Sequence, residues 1–185
     1  MAASEAKSKA RGGSSRGTSK VKSEGDLLAA VLEAFTFDPK IMIESAIIGS
    51  EIECAVLEIE GQPQASIVGK IVIDSKFEFY DFEAKYLDGA TDIELPAPIT
   101  ATSAEAIRQA AIAAFTALGC SGLARVDFFL TPNGEVIINE LNTMPGFTAT
   151  SVFPKMWAAS GVSYTEVITH LLKSALTRNN GVLGN

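Results

Sequence analysis

Residues 123–142, which read LARVDFFLTPNGEVIINELN, decide the fold because they predict a β-hairpin. Apolar and polar residues alternate within the hairpin, and the TPNG stretch in its middle has the proline, asparagine and glycine of a tight turn. The first strand is predicted over 123–130 and the second over 136–141. An antiparallel pair of strands is therefore the expected centre of the chain.

The rest of the chain predicts three helices and three further strands around this hairpin. Apolar residues at helical spacing behind capping-box patterns place helix starts at Ser23, Thr102 and Ser163, and the first two helices are expected to end near Asp38 and at Gly119. Strands are predicted over 41–45, 52–59 and about 65–73, and most of 74–93 is predicted to be a long loop. The order predicts an α+β lobe with a mainly antiparallel sheet flanked by helices.

Composition excludes several classes of function. The chain has 185 residues and a formal net charge of −7, which argues against a general nucleic-acid binder or a protein of anionic membranes. No apolar run reaches membrane-spanning length and no secretory signal is recognisable, so a cytoplasmic protein is expected. One histidine and the distant Cys54 and Cys120 leave no zinc cluster and no Ser-His-Asp triad. Any metal is therefore expected to have oxygen ligands, as Mg²⁺ does.

The hairpin carries acids at positions where their side chains are expected to meet. Arg125 and Asp127 share one face of the first strand, while Glu140 and Asn142 are predicted to share a face of the second strand with Ile138. If the turn brings both polar faces to one side, the two carboxylates and the amide suit Mg²⁺, and the guanidinium suits a phosphoryl group. A solvent-facing ladder of salt bridges explains the same spacing, and spacing alone favours it.

Two further stretches have compositions that suit ligand binding. Residues 11–20, RGGSSRGTSK, combine glycine, hydroxyl groups and cations, which suits phosphate oxygens, although composition alone favours a flexible basic linker. Residues 142–148, NTMPGFT, form an irregular turn in which the Gly146 N–H faces a developing oxyanion or is simply part of a loop.

Five stretches in order resemble the D-alanine–D-alanine ligases of the ATP-grasp superfamily: RGGSSRGTSKV, IMIESAIIGSEIECAVL, FYDFEAKYL, GLARVDFFL and INELNTMPGFT. The resemblance extends from about Arg11 to Leu172. It implies an ATP-grasp lobe and ATP-dependent ligation of two D-alanines to D-alanyl-D-alanine through an acyl phosphate, for peptidoglycan synthesis. ATP and D-alanine are the implied small-molecule partners, and nucleic acid and membrane are not expected.

The resemblance also implies a role for individual residues in binding ATP and metal. The segment around the adenine and ribose is matched by Glu44, Ala46, Ile47 and Glu51. Ser14 matches the loop over the phosphates, and Lys85 matches a lysine that reaches an ATP phosphate. Asp127, Glu140 and Asn142 match the ligands of two Mg²⁺ ions, for which Mn²⁺ can substitute.

The implied catalytic and substrate-binding residues are a second group. Arg125 matches the arginine on the acyl phosphate and the tetrahedral intermediate, and Gly146 matches the oxyanion donor. Ser15 belongs to the phosphate and substrate loop, and Tyr86 helps to close the loop that contains Lys85. Ser151 and Val152 match the site of the second D-alanine carboxylate.

Composition and the extent of the resemblance together predict how the chain is organised. Residues 1–10 are expected to be a disordered leader or the scar of a truncated element, residues 11–178 the ligase domain, and residues 179–185 a flexible tail. The lobe is therefore expected to be incomplete at its N-terminus, and a homodimer is expected from the family. Two alternatives stay open, an inactive nucleotide-binding fragment and an ATP-grasp ligase with another amine acceptor.

Overall fold

The computed structural model describes residues 6–10, 17–73, 91–148 and 150–178. The chain divides into two units. The first comprises residues 1–48 and 72–92, and the second comprises residues 49–71 and 93–185.

The first unit contains a three-stranded antiparallel sheet in the order β2-β1-β3. Its strands are β1 (Ala6–Ala10), β2 (Ser19–Val21) and β3 (Ile41–Ser45). β3 has the predicted bounds. β1 lies in a stretch for which the sequence predicted no regular structure, because backbone pairing to strands on both sides supplies the stabilisation that its composition lacks. Residues 1–5 lie outside the described part of the chain.

Helix α1 (Glu24–Phe35) follows β2 and contacts the strands of the first unit. It begins after Ser23, as predicted, and buries Ala30 and Ala34. The Ser23 hydroxyl donates to the Asp26 carboxylate at 2.6 Å instead of accepting from a backbone N–H, so the predicted capping box is not formed. The helix ends at Phe35, three residues before the predicted end near Asp38.

A five-stranded sheet in the order β6-β5-β4-β7-β8 lies mainly in the second unit. These strands are β4 (Ser50–Ile59), β5 (Gln62–Ile73), β6 (Thr91–Glu94), β7 (Leu123–Leu130) and β8 (Val136–Asn142). β4 pairs antiparallel with β5 and β7, and β7 pairs antiparallel with β8, which confirms the mainly antiparallel sheet. β6 overlaps the end of the stretch 74–93 that was predicted to be mostly loop, of which residues 74–90 lie outside the described part.

In the described part of the chain, three helices cover this sheet from its two faces. They are α2 (Ala101–Ala117), α3 (Val152–Ala159) and α4 (Tyr164–Thr177). α2 buries its apolar side against one face, where the core comprises Ile52, Cys54, Val56, Ala124, Val126, Phe128, Ile107, Ala111 and Phe115. α3 and α4 cover part of the opposite face, with Ala55, Leu57, Phe153, Met156, Trp157 and Val167. The sequence did not predict α3.

The helix caps follow the sequence at one helix and depart from it at another. In α4 the Ser163 hydroxyl accepts from the Glu166 N–H and the Glu166 carboxylate accepts from the Ser163 N–H, which confirms the predicted capping box. Hydrogen bonds from Ser163 also lower the pKa of the exposed Glu166 carboxyl. α2 starts earlier than predicted, because the hydroxyl of Thr100 caps it by accepting from the Ser103 N–H at 3.1 Å.

Candidate functional site

The register of the second sheet brings three acids into one row. Glu53 on β4 lies opposite Asp127 on β7, and Asp127 lies opposite Glu140 on β8. The neighbouring row pairs Arg125 with Asn142. Residues directly opposite one another in antiparallel strands project to the same face, with Cβ atoms about 4.5–5.5 Å apart. The polar residues of the hairpin therefore do lie on one side of the sheet.

A β-bulge in β8 corrects one part of the predicted arrangement. The register shifts so that Asp127 pairs with Glu140 while its neighbour Phe128 pairs with Ile138, which leaves Asn139 as the extra residue. Strict alternation would put Ile138 on the face of Glu140. The bulge instead puts Ile138 on the face of Phe128, so the prediction that Ile138 shares the polar face is wrong.

Arg125 is held by two carboxylates. Its Nε and Nη2 donate to Oδ1 and Oδ2 of Asp127, both at 2.7 Å, in a bidentate pair. Its Nε also lies 3.4 Å from Oε2 of Glu53. The side chains of Arg125 and Asp127 are each 13% exposed and that of Glu53 is 3% exposed. Such a charge-assisted pair in a partly desolvated place is stronger and better oriented than a surface salt bridge.

The donor set at this face suits a hard cation. Asp127 and Glu140 offer carboxylate oxygens and Asn142 offers an amide oxygen, which are the ligand types that Mg²⁺ takes. A carboxylate has about four acceptor positions, so the bidentate pair with Arg125 leaves positions on both oxygens of Asp127 for a cation. Within the described residues, no three His, Cys, Asp or Glu side chains already converge as a metal cluster. The residues fit a cation that is completed by substrate oxygens and water.

The loop after β8 is ordered by its own polar groups. The Met144 N–H donates to Oδ1 of Asn142 at 3.0 Å, which orients the amide and occupies one position on its oxygen. Farther along, the Thr148 N–H donates to Oγ of Ser151 at 3.0 Å, and the two hydroxyl groups lie 2.8 Å apart. A Cβ on Gly146 would lie 3.1 Å from Oγ of Ser151, so a larger residue at Gly146 would crowd this hydroxyl.

Ser151 and Val152 lie at the start of α3. Ser151 is the N-cap residue, but its side chain makes no capping hydrogen bond because it is turned back to Thr148. The Val152 and Phe153 N–H groups of the first turn are therefore not satisfied by this side chain, and the next residue, Pro154, has no N–H. Together with the helix dipole, they favour a negatively charged group at this end.

Tyr164 and Phe147 support this loop and were not recognised from the sequence. The Tyr164 hydroxyl donates to the carbonyl oxygen of Phe147 at 2.8 Å. The ring of Phe147 lies 5.4 Å from that of Tyr164 and 5.8 Å from that of Phe153. No local sequence signal marks such a contact, because Phe147 and Tyr164 lie seventeen residues apart.

The remaining predicted site residues fall into two groups. Glu44, Ala46 and Ile47 are half-buried residues at and after the end of β3 in the first unit, and Glu51 is a half-buried residue of β4 opposite Phe129 in the second. Ser14, Ser15, Lys85 and Tyr86 lie outside the described residues.

A family model for the C-terminus of D-Ala-D-Ala ligases matches residues 7–173. The chain belongs to this family. A D-alanine–D-alanine ligase from Frankia casuarinae is 52% identical over 175 residues, which is 94% of this chain and 46% of the relative. The chain thus spans about half the length of the curated relatives that it matches.

Solved structures of ligases are similar in fold to this member of the D-Ala-D-Ala ligase family. The VanG D-Ala:D-Ser ligase from Enterococcus faecalis has a TM-score of 0.81 and 39% sequence identity, covering 91% of this chain and 49% of that one. The D-alanine–D-alanine ligase from Bacillus anthracis complexed with ATP has a TM-score of 0.75 and 26% identity, covering 93% and 52%. The ATP-grasp fold predicted from the sequence motifs is therefore confirmed.

Glu53 is the acid of the polar row that the sequence of this ligase-family chain did not identify. The available signal was a carboxylate inside a strand that is otherwise largely apolar, IECAVL, where a charged residue is rarely buried without a partner. Its partner, Arg125, is 72 positions away, so the signal alone does not identify the pair. No described helix of the chain has the length and apolar character needed to cross a membrane.

Proposed function

We propose that the chain carries the C-terminal part of an ATP-dependent D-alanine–D-alanine ligase that serves peptidoglycan synthesis in the cytoplasm. The observation that carries the proposal is the polar face on which Arg125, Asp127, Glu140 and Asn142 are brought together by the register of β7 and β8. Membership of the ligase family supplies the reaction type. ATP as the phosphoryl donor is supported by the related ligase that was solved with ATP.

Asp127, Glu140 and Asn142 would hold the divalent cations, two Mg²⁺ ions or Mn²⁺ in their place. When bound, these ions neutralise the triphosphate and the developing charge of phosphoryl transfer. The acidic face of this chain needs such ions, because carboxylates alone repel a polyphosphate. The bidentate pair with Asp127 holds Arg125 at the same face, where a guanidinium can bind phosphoryl oxygens.

The loop from Asn142 to Val152 would bind and orient the substrates. The Gly146 N–H would stabilise the oxyanion formed when the amine of the second D-alanine attacks the acyl phosphate. Ser151 and the N-terminal N–H groups of α3 would bind the carboxylate of that D-alanine. Ser151 meets the substrate with its hydroxyl already oriented by Thr148.

The remaining catalytic roles fall to residues outside the described part. Ser14 and Ser15 would cover the phosphates, Lys85 would bind an ATP phosphate, and Tyr86 would help to exclude water from the acyl phosphate.

Glu44, Ala46, Ile47 and Glu51 would contact adenine and ribose. A homodimer is part of the same proposal, and its test is the molar mass in solution.

The direct test is incubation of the purified chain with ATP, Mg²⁺ and D-alanine. The proposal predicts phosphate release that depends on D-alanine, with D-alanyl-D-alanine as the product. Binding of MgATP without D-alanine-dependent phosphate release would instead support an inactive nucleotide-binding fragment. D-Serine is tested as an alternative acceptor, since one similar structure is a D-Ala:D-Ser ligase.

A second test concerns the metal ligands. Glu140→Ala is expected to weaken Mg²⁺-dependent ATP binding, because it removes one carboxylate from the polar face. Glu135→Ala is the matched control, since Glu135 is an exposed acid at the turn of the same hairpin. Equal ATP binding by Glu140→Ala and the wild-type chain would contradict the metal assignment.

A further inference from the structure

Glu53 is a buried acid for which the proposed reaction does not yet have a role. The residue is 2% exposed and lies in the middle of β4. Its cross-strand neighbours on the polar face are Gly69 on β5 and Asp127 on β7. A buried carboxylate costs free energy unless a cation compensates it, and Arg125 lies close enough to do so, with Nε 3.4 Å from Oε2 of Glu53.

Arg125 already forms a bidentate ion pair with Asp127. The two Nε and Nη2 hydrogen bonds at 2.7 Å form a bidentate pair that is sufficient to compensate one carboxylate. With Glu53 added, one guanidinium faces two carboxylates, and the three side chains together carry a charge of −1. If Arg125 paired with Asp127 and had no Glu53 beside it, the guanidinium would nearly neutralise the Asp127 carboxylate. The attraction of Asp127 for a divalent cation would then be weaker.

We propose that Glu53 is a positioning residue that shares the Arg125 guanidinium with Asp127. This sharing keeps Arg125 on the polar face and preserves negative charge on Asp127 for the cation. Glu53 acts through Arg125 and Asp127 and does not itself bind the metal or the substrate. The inference rests on the proposed function, because it assigns Asp127 to cation binding.

The test measures ATP binding by equilibrium dialysis as the Mg²⁺ concentration is varied. Glu53→Gln keeps the size of the side chain and removes its charge. It is expected to raise the Mg²⁺ concentration for half-maximal ATP binding by about tenfold, equivalent to about 1.4 kcal/mol. Affinity for ATP without metal is expected not to fall. A merely structural role would lower ATP affinity with and without Mg²⁺ to the same degree.

Two further variants separate charge from packing. Glu53→Asp keeps the charge on a shorter side chain. Its Mg²⁺ concentration for half-maximal ATP binding is therefore expected to lie closer to the wild-type value than that of Glu53→Gln, even if the variant is less stable. Glu135→Gln removes the same charge from an exposed position and is expected to leave the Mg²⁺ dependence unchanged. Equal Mg²⁺ dependence of Glu53→Gln and the wild-type chain would overturn the inference.

A readout without ligand keeps this inference separate from the proposed function. The Nε–H signal of Arg125 in a ¹H–¹⁵N spectrum, assigned by its loss in Arg125→Lys, is expected to move in Glu53→Gln and to stay in place in Glu135→Gln. If the wild-type chain binds no ATP, the proposed function fails while this signal still tests the contact. An unmoved signal in folded Glu53→Gln overturns the positioning role whatever the chain binds.

Discussion

Single hydroxyl groups complete the backbone hydrogen bonding where the strand register is irregular. The β4–β5 register shifts between Cys54 and Val56, and there the Ala55 N–H donates to Oγ of Ser66 at 3.1 Å instead of to a strand carbonyl. The Ile67 N–H donates to Oγ of Ser160, at the C-terminal end of α3, at 2.8 Å. Two serines from distant parts of the chain thus satisfy donors that the irregular register would leave without partners.

Ser66→Ala is expected to destabilise the chain through this contact. Removing the hydroxyl leaves the buried Ala55 N–H without its acceptor, which costs about 1–3 kcal/mol in the free energy of unfolding. Urea denaturation measures the change. Ser121→Ala is the control, because the buried Ser121 hydroxyl has no hydrogen-bond partner among the described residues and is expected to be replaceable without loss. Equal stability of Ser66→Ala and wild type would contradict the role of Ser66.

Cys54 gives a prediction about pH at the same scale. Burial raises the pKa of the Cys54 thiol from 9.0 to about 12, against smaller opposing effects of Arg108 and Ser66. Between these values the folded chain keeps the proton while the unfolded chain releases it, so the free energy of unfolding falls as pH rises. In Cys54→Ala, the free energy of unfolding is expected to decline less steeply above pH 9 than in the wild-type chain, as measured by denaturation over a pH series. Parallel pH curves for the two proteins would show that Cys54 does not contribute.

At the scale of elements, the start of β4 depends on a close backbone approach. A Cβ on Gly49 would lie 2.7 Å from the carbonyl oxygen of Leu130, just before the pairing of Ser50 with Leu130 begins. Glycine permits this approach because it has no side chain. The sequence marks Gly49 only as a glycine before a strand, since the contact belongs to the β4–β7 pair.

Gly49→Ala is therefore expected to lower the free energy of unfolding, by about 1–3 kcal/mol, as overpacking typically does. Gly25→Ala is the matched change in the first turn of α1, where the nearest other atom would be Oγ of Ser23 at 3.8 Å. It is expected to be neutral or to stabilise the chain, because alanine favours helix over glycine. Thermal unfolding compares the two variants, and an equally stable Gly49→Ala would refute the close approach.

At the scale of the whole molecule, the second unit has two cores on opposite faces of one sheet. Ile107 on α2 belongs to one core, and Trp157 on α3 belongs to the other. β4 contributes to both cores, because successive residues of the strand, such as Cys54 and Ala55, point to opposite faces of the sheet. Because one strand contributes to both, loss of packing on one face is expected to weaken the other.

This coupling is testable with the single tryptophan of the chain. Ile107→Ala is expected to lower the free energy of unfolding by about 2–5 kcal/mol. The urea midpoint reported by Trp157 fluorescence is expected to fall with it, although the two side chains lie in different cores. Leu118→Ala, at the exposed end of α2, is the control and should leave the midpoint unchanged. A normal Trp157 midpoint in Ile107→Ala would mean that the two cores unfold separately.

Local pattern determined a large part of this protein. Alternation and the TPNG turn predicted the hairpin, and the composition of its polar face predicted oxygen ligands and an arginine. The order of the motifs predicted the ligase family. Each of these depends on neighbouring residues or on motif order, and the sequence contains both.

Only the tertiary structure decided which residues meet across strands. Glu53 joins the polar row because β4 pairs with β7, and Ile138 leaves that face because of the bulge at Asn139. β1 becomes a strand through partners on both sides, and α3 forms where its aromatic residues pack on the sheet. Register, bulges and packing depend on hydrogen bonds and contacts between distant residues, so no local pattern in the sequence specifies them.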